Sequence, residues 1–226
     1  RFNHQNSNNK YFAPYEFKEK ISKMNPLFQG AQANDSKDLV NFIIMTLHEE
    51  LNKAPKKKLD NNEDQFIDQT NKQLVLNNYL KSFINENISI ISDFFYGVNF
   101  TTTQCSRCGI TKYNYQTYFF LIFPLEEVRK FKINFLTNQF QQMYQNVQRM
   151  NPILYQQNFM AFQYNLQNMN SVTINDCFQY NEKMEFFTGE NAMYCNKCQI
   201  QCPASYCTKL FTAPSILIII LNRGKG

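Results

Sequence analysis

Early in the chain the apolar positions recur every three or four residues, whereas from Lys112 onward they recur every second one. Pro14 opens a short amphipathic helix with Phe17, Ile21 and Met24 on one face. Proline suits a helix start because the amide it lacks has no intrahelical acceptor there. Asn25-Pro26 ends this helix. A stronger ladder follows, with Leu39, Ile43, Leu47 and Leu51 at i, i+4 spacing and Val40 and Ile44 beside them; it predicts a helix with a core-facing stripe. Asp35 falls at its N-cap and Asp38 at the third helical position, as in a capping box. Asn52 and Pro55 supply the stop. Lys53–Thr70 is charged and short of large apolar residues, so it reads as a solvated loop, like the polar leader Arg1–Lys10. Weaker helical spacing returns at Leu76, Leu80, Phe83 and Ile84, and again at Ile90, Ile91, Phe94 and Phe95.

The period then changes. Tyr113, Tyr115, Thr117, Phe119, Leu121 and Phe123 alternate with Lys112, Asn114 and Gln116, which predicts one strand over Lys112–Phe123, ended by Pro124. Glu126–Asn170 is crowded with Gln, Asn, Met and Tyr and is expected to be a poorly specified surface insertion with helical tendency. Thr173-Ile174-Asn175-Asp176 starts a short capped helix through Cys177, Phe178 and Tyr180. An alternating strand covers Ala204–Phe211. The unbroken apolar run Ile216–Leu221 is expected to be a central strand covered on both faces. Helices first and mainly strands later make this an α+β domain.

At 226 residues the chain is one large domain or part of one. Its 43% hydrophobic and 15% aromatic content excludes wholesale disorder. A net charge of +5, with basic residues in short groups such as Lys56-Lys57-Lys58, provides no long basic stripe for nucleic acid. The run Ile216–Leu221 is far too short to cross a bilayer, so no membrane partner is expected. Seven cysteines, an odd number, point to metal thiolates in a reducing compartment, cytoplasm or nucleus, rather than to a secreted disulfide framework. The chain opens on Arg1 and stops at Lys225-Gly226 just after an apolar strand, and the expectation is a chain cut at both ends.

Candidate chemistry is concentrated in two cysteine pairs, Cys105-Ser-Arg-Cys108 and Cys195-Asn-Lys-Cys198. A Cys-x-x-Cys turn presents two thiolates to one ion, and two such turns complete the tetrahedral sulfur site that zinc prefers. Gly109 fits this, since the backbone that turns under the second sulfur often needs a positive φ. The gap between the pairs is much longer than in a compact zinc ribbon. Unrelated thiols or a redox Cys-x-x-Cys are the other readings of the same spacing. Cys207 is expected on a strand and Cys202 in a loop, where it could compete as a zinc ligand.

Several stretches together resemble the catalytic domain of the ubiquitin-specific proteases, the papain-like deubiquitinases. Phe28-Gln29-Gly30 through Asp35-Ser36-Lys37-Asp38-Leu39, ending in Leu47-His48-Glu49-Glu50-Leu51-Asn52, is similar to that family's Gly-x-x-Gln-Gln-Asp-Ala-x-Glu-Phe box and its Leu-His-Glu-Glu-Leu-Asn tail. Ser89-Ile90-Ile91-Ser92-Asp93-Phe94-Phe95-Tyr96-Gly97 resembles the stretch before the first cysteine pair. Phe187-Thr188-Gly189-Glu190-Asn191 with Tyr194-Cys195-Asn196-Lys197-Cys198 resembles Leu-x-Gly-x-Asn-x-x-Tyr-Cys-x-x-Cys. Pro214-Ser215-Ile216-Leu217-Ile218 and Leu221-Asn222-Arg223 resemble the strand ending Leu-x-Arg-Phe. The boxes fall in family order.

The resemblance implies a hand-shaped fold. A helical thumb would occupy about 12–88, fingers and palm 89–125 and 171–213, the Gln/Asn-rich insertion 126–170, and a palm strand 214–223. It implies zinc held by Cys105, Cys108, Cys195 and Cys198, and binding of ubiquitin and ubiquitinated proteins. Asp35 would accept hydrogen bonds from ubiquitin's extended tail, with Asp38 leaning towards capping; a capping role alone for Asp35 is equally open. The implied reaction is hydrolysis of the isopeptide bond after ubiquitin's terminal glycine, through a thiolate and an acyl-enzyme. Departures matter as well. Ala33-Asn34-Asp35 stands where the family has Gln-Gln-Asp, Asp38 replaces the usual Glu, and Gly224 follows Arg223 where Phe is usual. The nucleophile box is expected before Arg1 and the general-base box after Gly226, and neither His4 nor His48 suits as the base. This chain alone is therefore expected to be inactive. The alternative is a ubiquitin-binding scaffold with no nucleophile anywhere in the gene. A free-standing zinc-ribbon module for nucleic acid is the third reading, and the absence of a basic face opposes it.

Overall fold

The computed structural model describes residues 13–55, 68–168 and 171–224, which leaves His4, the Lys56–Lys58 group and both chain ends outside the described residues. Two units divide after Glu50. The first holds α1 (Tyr15–Met24), a 3-10 turn (Pro26–Phe28) and nearly all of α2 (Ser36–Leu51). The chain reverses between the helices because Ser22 Oγ donates to the Phe28 carbonyl at 2.8 Å and Asn34 Nδ2 to that of Leu27 at 2.9 Å. The Phe28 ring then packs against Phe42 in a tilted arrangement, with ring centroids 5.5 Å apart. The helix forms where expected, but its buried positions are Ile44 and His48, while Leu47 and Leu51 of the expected ladder are exposed.

The second unit begins with α3 (Lys72–Glu86), capped by the Asn71 side chain, and α4 (Ile90–Phe95), closed by a reciprocal Ser89–Ser92 capping box. Strands β1 (Gly97–Cys105), β2 (Thr111–Tyr118) and β3 (Phe120–Pro124) follow, then helices α5 (Leu125–Met143), α6 (Gln145–Met150), α7 (Pro152–Asn168) and α8 (Ile174–Asn181). The remaining strands are β4 (Glu185–Phe187), β5 (Met193–Cys195), β6 (Ile200–Cys202), β7 (Ala204–Thr212) and β8 (Ile218–Asn222). An antiparallel sheet runs β2-β1-β7-β4; β5 and β6 form a hairpin, and β3 pairs with β8 in parallel. Helix α3 lays Val75 on Val98 and Tyr115. Tyr118, Leu121, Phe123, Val128 and Cys177 form the main core cluster.

The α+β class holds; two expectations need correction, one strand was missed, and the Gln/Asn-rich stretch is more firmly built than expected. Lys112–Phe123 is two strands, because the chain breaks at Phe119 and passes from the four-stranded sheet into the pair with β8. The preceding strand β1 was not anticipated at all. Ile216–Leu221 is not a strand covered on both faces: β8 starts at Ile218, has β3 as its partner among the described residues, and leaves Leu221 48% exposed. Its alternate side chains face solvent because nothing described here packs on that side. The Gln/Asn-rich stretch forms three helices, and its start is tied to the core. Val128 is fully buried, and Lys132 Nζ meets Asp176 Oδ2 at 2.8 Å, which links α5 to α8. Burial pushes the Asp176 carboxyl up, but Lys132 and the Thr173 amide and hydroxyl outweigh it and hold the group below its usual range. Further along, Phe140 gathers Tyr144, Tyr155, Phe159 and Phe162 around one ring.

Candidate metal centre

Both cysteine pairs sit in turns of one design. In the first, β1 runs into Cys105, whose amide donates to the Ile110 carbonyl at 3.0 Å, while the Gly109 amide donates back to the Cys105 carbonyl at 2.9 Å. In the second, Cys195 lies opposite Ile200 in the β5–β6 ladder, and the Gln199 amide donates to the Cys195 carbonyl at 2.7 Å. The residue after the second cysteine is left-handed in each, with φ of 70° at Gly109 and 57° at Gln199. A cation stands at the same place in both turns (Arg107, Lys197), as does an isoleucine (Ile110, Ile200). The pattern Cys-x-cation-Cys-x-Ile is thus repeated in three dimensions.

Such a turn aims backbone amides at its first sulfur. The Cys108 amide, with a smaller contribution from Arg107, lowers the Cys105 thiol to about 6 against the opposing effect of burial. The Cys198 amide does the same for Cys195, which is also held below the usual thiol value. Cys198 moves the other way. Burial, followed by the thiols of Cys108, Cys195 and Cys202 beside it, pushes it up. Each turn therefore offers a first sulfur prepared to be an anion, and the second knuckle also carries a sulfur that needs a cation before it ionises.

The two turns meet. Pairing of β1 with β7 sets Cys105 opposite Ala204, and the Ser106 amide donates to the Pro203 carbonyl at 2.8 Å, which draws the first turn onto the chain leaving the second. Cys108 Sγ and Cys195 Sγ, 87 residues apart in sequence, approach to 3.7 Å. All four sulfurs lie within 4.8 Å of one another. A tetrahedral ion with sulfur arms of about 2.3 Å has sulfur–sulfur edges near 3.8 Å, whereas a disulfide needs about 2.05 Å. All seven cysteines are free thiols. The donor set, its spacing and its amide bonds fit a thiolate-bound metal.

The structure thus brings together Cys105, Cys108, Cys195 and Cys198, and leaves Asp35 and Asp38 outside this group. Asp35 Oδ1 accepts the Lys37 amide at 2.9 Å, and its carbonyl accepts that of Asp38 at 3.0 Å, so it caps α2. The Asp38 carboxylate lies 3.8 Å from Lys37 Nζ on an exposed surface. Cys207 lies on β7 as expected, with its Sγ 3.4 Å from the Glu182 carbonyl. Cys202 differs from its expected loop position: it ends β6, is 1% exposed and packs among the four sulfurs. Sequence reasoning also missed the left-handed Gln199; the repeated cation and isoleucine of the two turns were the signal that could have found it.

The family model described as ubiquitin carboxyl-terminal hydrolase matches residues 2–225. Ubiquitin carboxyl-terminal hydrolase 4 of Vanderwaltozyma polyspora is 28% identical over 136 residues, which cover 58% of this chain and 15% of that protein. Ubiquitin carboxyl-terminal hydrolase 5 of Arabidopsis thaliana is 32% identical over 114 residues, 50% of this chain and 12% of its own length. The human ubiquitin carboxyl-terminal hydrolase 15 is 30% identical over 115 residues, 51% of this chain and 12% of that protein. The matched segment thus spans only 12–15% of the length of these relatives. Among solved structures, a SAGA DUB module bound to monoubiquitin aligns with 94% of this chain and 32% of that one, at a TM-score of 0.48 and 13% identity.

Proposed function

The chain belongs to the ubiquitin carboxyl-terminal hydrolase family, and on that premise we propose that it is the ubiquitin-holding part of an enzyme that cleaves the isopeptide bond after ubiquitin's terminal glycine. The observation that carries the reading is the family match running through residues 2–225, with the two cysteine turns converging inside it. The metal is zinc and its role is structural: four sulfurs fill a tetrahedron and leave no open position for water or substrate. Asp35 accepts hydrogen bonds from ubiquitin's tail while it caps α2, and Asp38 supports it.

The reaction needs a thiolate paired with an imidazole. Four of the seven thiols belong to the metal cluster, Cys202 packs into it, Cys207 meets the Glu182 carbonyl, and Cys177 is buried with its thiol pushed up by that burial. His48 is buried in α2. We therefore place the nucleophile and general base in other parts of the full-length protein, with this chain binding but not hydrolysing. Seven free thiols suit a reducing compartment, so the protein works in the cytoplasm or nucleus, where ubiquitinated proteins are its targets.

The test uses ubiquitin with a fluorogenic C-terminal amide. The full-length parent should release the fluorophore, while this chain with zinc should bind monoubiquitin and release none. A parent that binds and never turns over would replace the enzyme with the scaffold reading. Absence of ubiquitin binding by the zinc-loaded protein would remove both. For the tail site, Asp35→Asn keeps a good cap and deletes the charge. It should weaken ubiquitin binding with little loss of stability, whereas Asp35→Ala should also cost about 0.5–2 kcal/mol of stability.

A further inference from the structure

Cys202 is a buried thiol beside the four-sulfur group but outside it. It is 1% exposed and forms one buried cluster with Cys105 and Cys195, with Cys108 and Cys198 at the margin. It packs in that cluster without joining the four sulfurs that lie within 4.8 Å of one another. The backbone holds it from both sides. Cys202 pairs with Met193 across the β5–β6 hairpin, and the next carbonyl, that of Pro203, accepts the Ser106 amide of the first turn at 2.8 Å. A buried cysteine usually acts as a small apolar residue. Here it faces sulfurs rather than a hydrocarbon core.

Zinc has no geometric preference from its d electrons, so whichever four sulfurs can surround it will serve. Cys202 and Cys198 belong to one hairpin, four residues apart, and pack in the same cysteine cluster. A shallow cavity walled by Thr103, Lys112 and Tyr194 is lined by Cys105, Cys195 and Cys202 together. We propose that Cys202 is a spare ligand of the metal centre, able to take the place of Cys198 in the coordination sphere. This rests on the reading of the four-cysteine group as a metal site. In the exchange the Cys202 thiol gives its proton to solvent and its sulfur bonds to the metal; the Cys198–metal bond breaks and that thiolate takes up a proton. Charge and protons balance, and no oxidant is needed.

The test is a titration of the whole chain, kept reduced, with Co2+ and Cd2+, whose thiolate charge-transfer bands count the sulfurs bound. Four proteins are compared: the unaltered chain, Cys198→Ala, Cys202→Ala, and the double variant. The unaltered chain and Cys202→Ala should both show four sulfurs. Cys198→Ala should keep the four-sulfur spectrum and lose roughly 10- to 100-fold in affinity, a cost on the scale of altered support around a metal. The double variant should drop to three sulfurs and bind at least about 100-fold more weakly still. Cys207→Ala, which changes a thiol outside the cluster, should leave everything unchanged.

If Cys198→Ala matches the double variant, the spare-ligand role is overturned while the metal site stands. If Cys202→Ala loses the four-sulfur spectrum, Cys202 is a resting ligand, and the role is overturned again. If the unaltered chain binds neither ion, the metal reading itself fails. Should Cys198→Ala not fold, the near-isosteric Cys198→Ser repeats the measurement. If both stay unfolded with metal present, the proposal is also overturned, because a spare ligand would have closed the site.

Discussion

The two cysteine turns share a local design and differ in what holds them. The first grows from a nine-residue strand and an eight-residue strand, with β1 flanked by β2 and β7 along nearly its whole length. The second stands on two strands of three residues each, paired among the described residues only with each other. The first reverses through glycine, whereas the second forces Gln199 into the left-handed region. For an L-residue with a side chain that conformation costs about 1–2 kcal/mol. One turn is thus held in place by its sheet and the other by whatever ties its sulfurs to the first. An isolated two-stranded hairpin is marginal in water, and a shared ion is the natural tie.

Metal removal should separate them most. Structural zinc contributes on the order of 10 kcal/mol or more of apparent binding energy. Chelation should melt β5–β6 while β1, β2 and β7 keep their amide protection in hydrogen exchange, and equal loss of protection in both turns would break the comparison. The pH dependence follows from the same sulfurs. Cys105 is held near 6 against an ordinary thiol value of 9.0. In the metal-free protein its stabilising contribution is complete above 9.0 and fades as pH falls towards about 6. Near neutrality Cys105 is already largely ionised, so zinc loading should release fewer than four protons from the four cysteines. Below about 6, protons should compete even for this sulfur and affinity should fall steeply.

A smaller effect should come from the foot of the first turn. Gly97 lies opposite Tyr118, and a Cβ there would stand 2.5 Å from the tyrosine ring. The buried ring cannot move freely, because its hydroxyl donates to the Thr212 carbonyl at 3.1 Å and its face packs into the Phe123–Val128 cluster. Gly97→Ala should cost about 1–3 kcal/mol, the range of overpacked cores. In denaturant titrations the loss should be carried by β1, β2 and β7, with zinc still bound. A variant as stable as the parent would show that the sheet is not what anchors the first turn.

What could be read from the sequence divides along similar lines. Helix α2 and the capped start of α8 were legible because apolar spacing and Thr173–Asp176 act within a few residues. Strand β1 was hidden because its buried face includes Thr101, whose hydroxyl shares a 3.0 Å hydrogen bond with that of Thr208; hydropathy does not register a polar pair that satisfies itself across strands. The change of sheet at Phe119 has no proline or glycine to mark it. The apolar run before Asn222 records how much cover it could use, not how much it has among the described residues. For the candidate metal centre, spacing marked the four cysteines that the fold brings together, since each pair is local. Cys202 joins them only through the return of β6 towards Pro203 and Ser106, a long-range fact that spacing cannot carry.

The smallest effect discriminates best between the turns, because it exchanges their one local difference. Gly109 has open space around the position of a Cβ, so Gly109→Ala meets no clash and pays only for its φ of 70°. That cost should be about 1 kcal/mol. Gln199→Gly runs the other way. It relieves a left-handed side-chain residue but adds backbone freedom to the unfolded chain, an entropic cost of about 0.5–1 kcal/mol. The net gain should be about 0.5 kcal/mol, small in the zinc-bound protein. It should be visible as slower hydrogen exchange at the Gln199 position and Ile200 after chelation, where the second turn must hold itself. If Gln199→Gly instead loosens β5–β6, the left-handed glutamine side chain is supplying a contact that outweighs its strain. The two turns would then differ in side-chain support as well as in backbone.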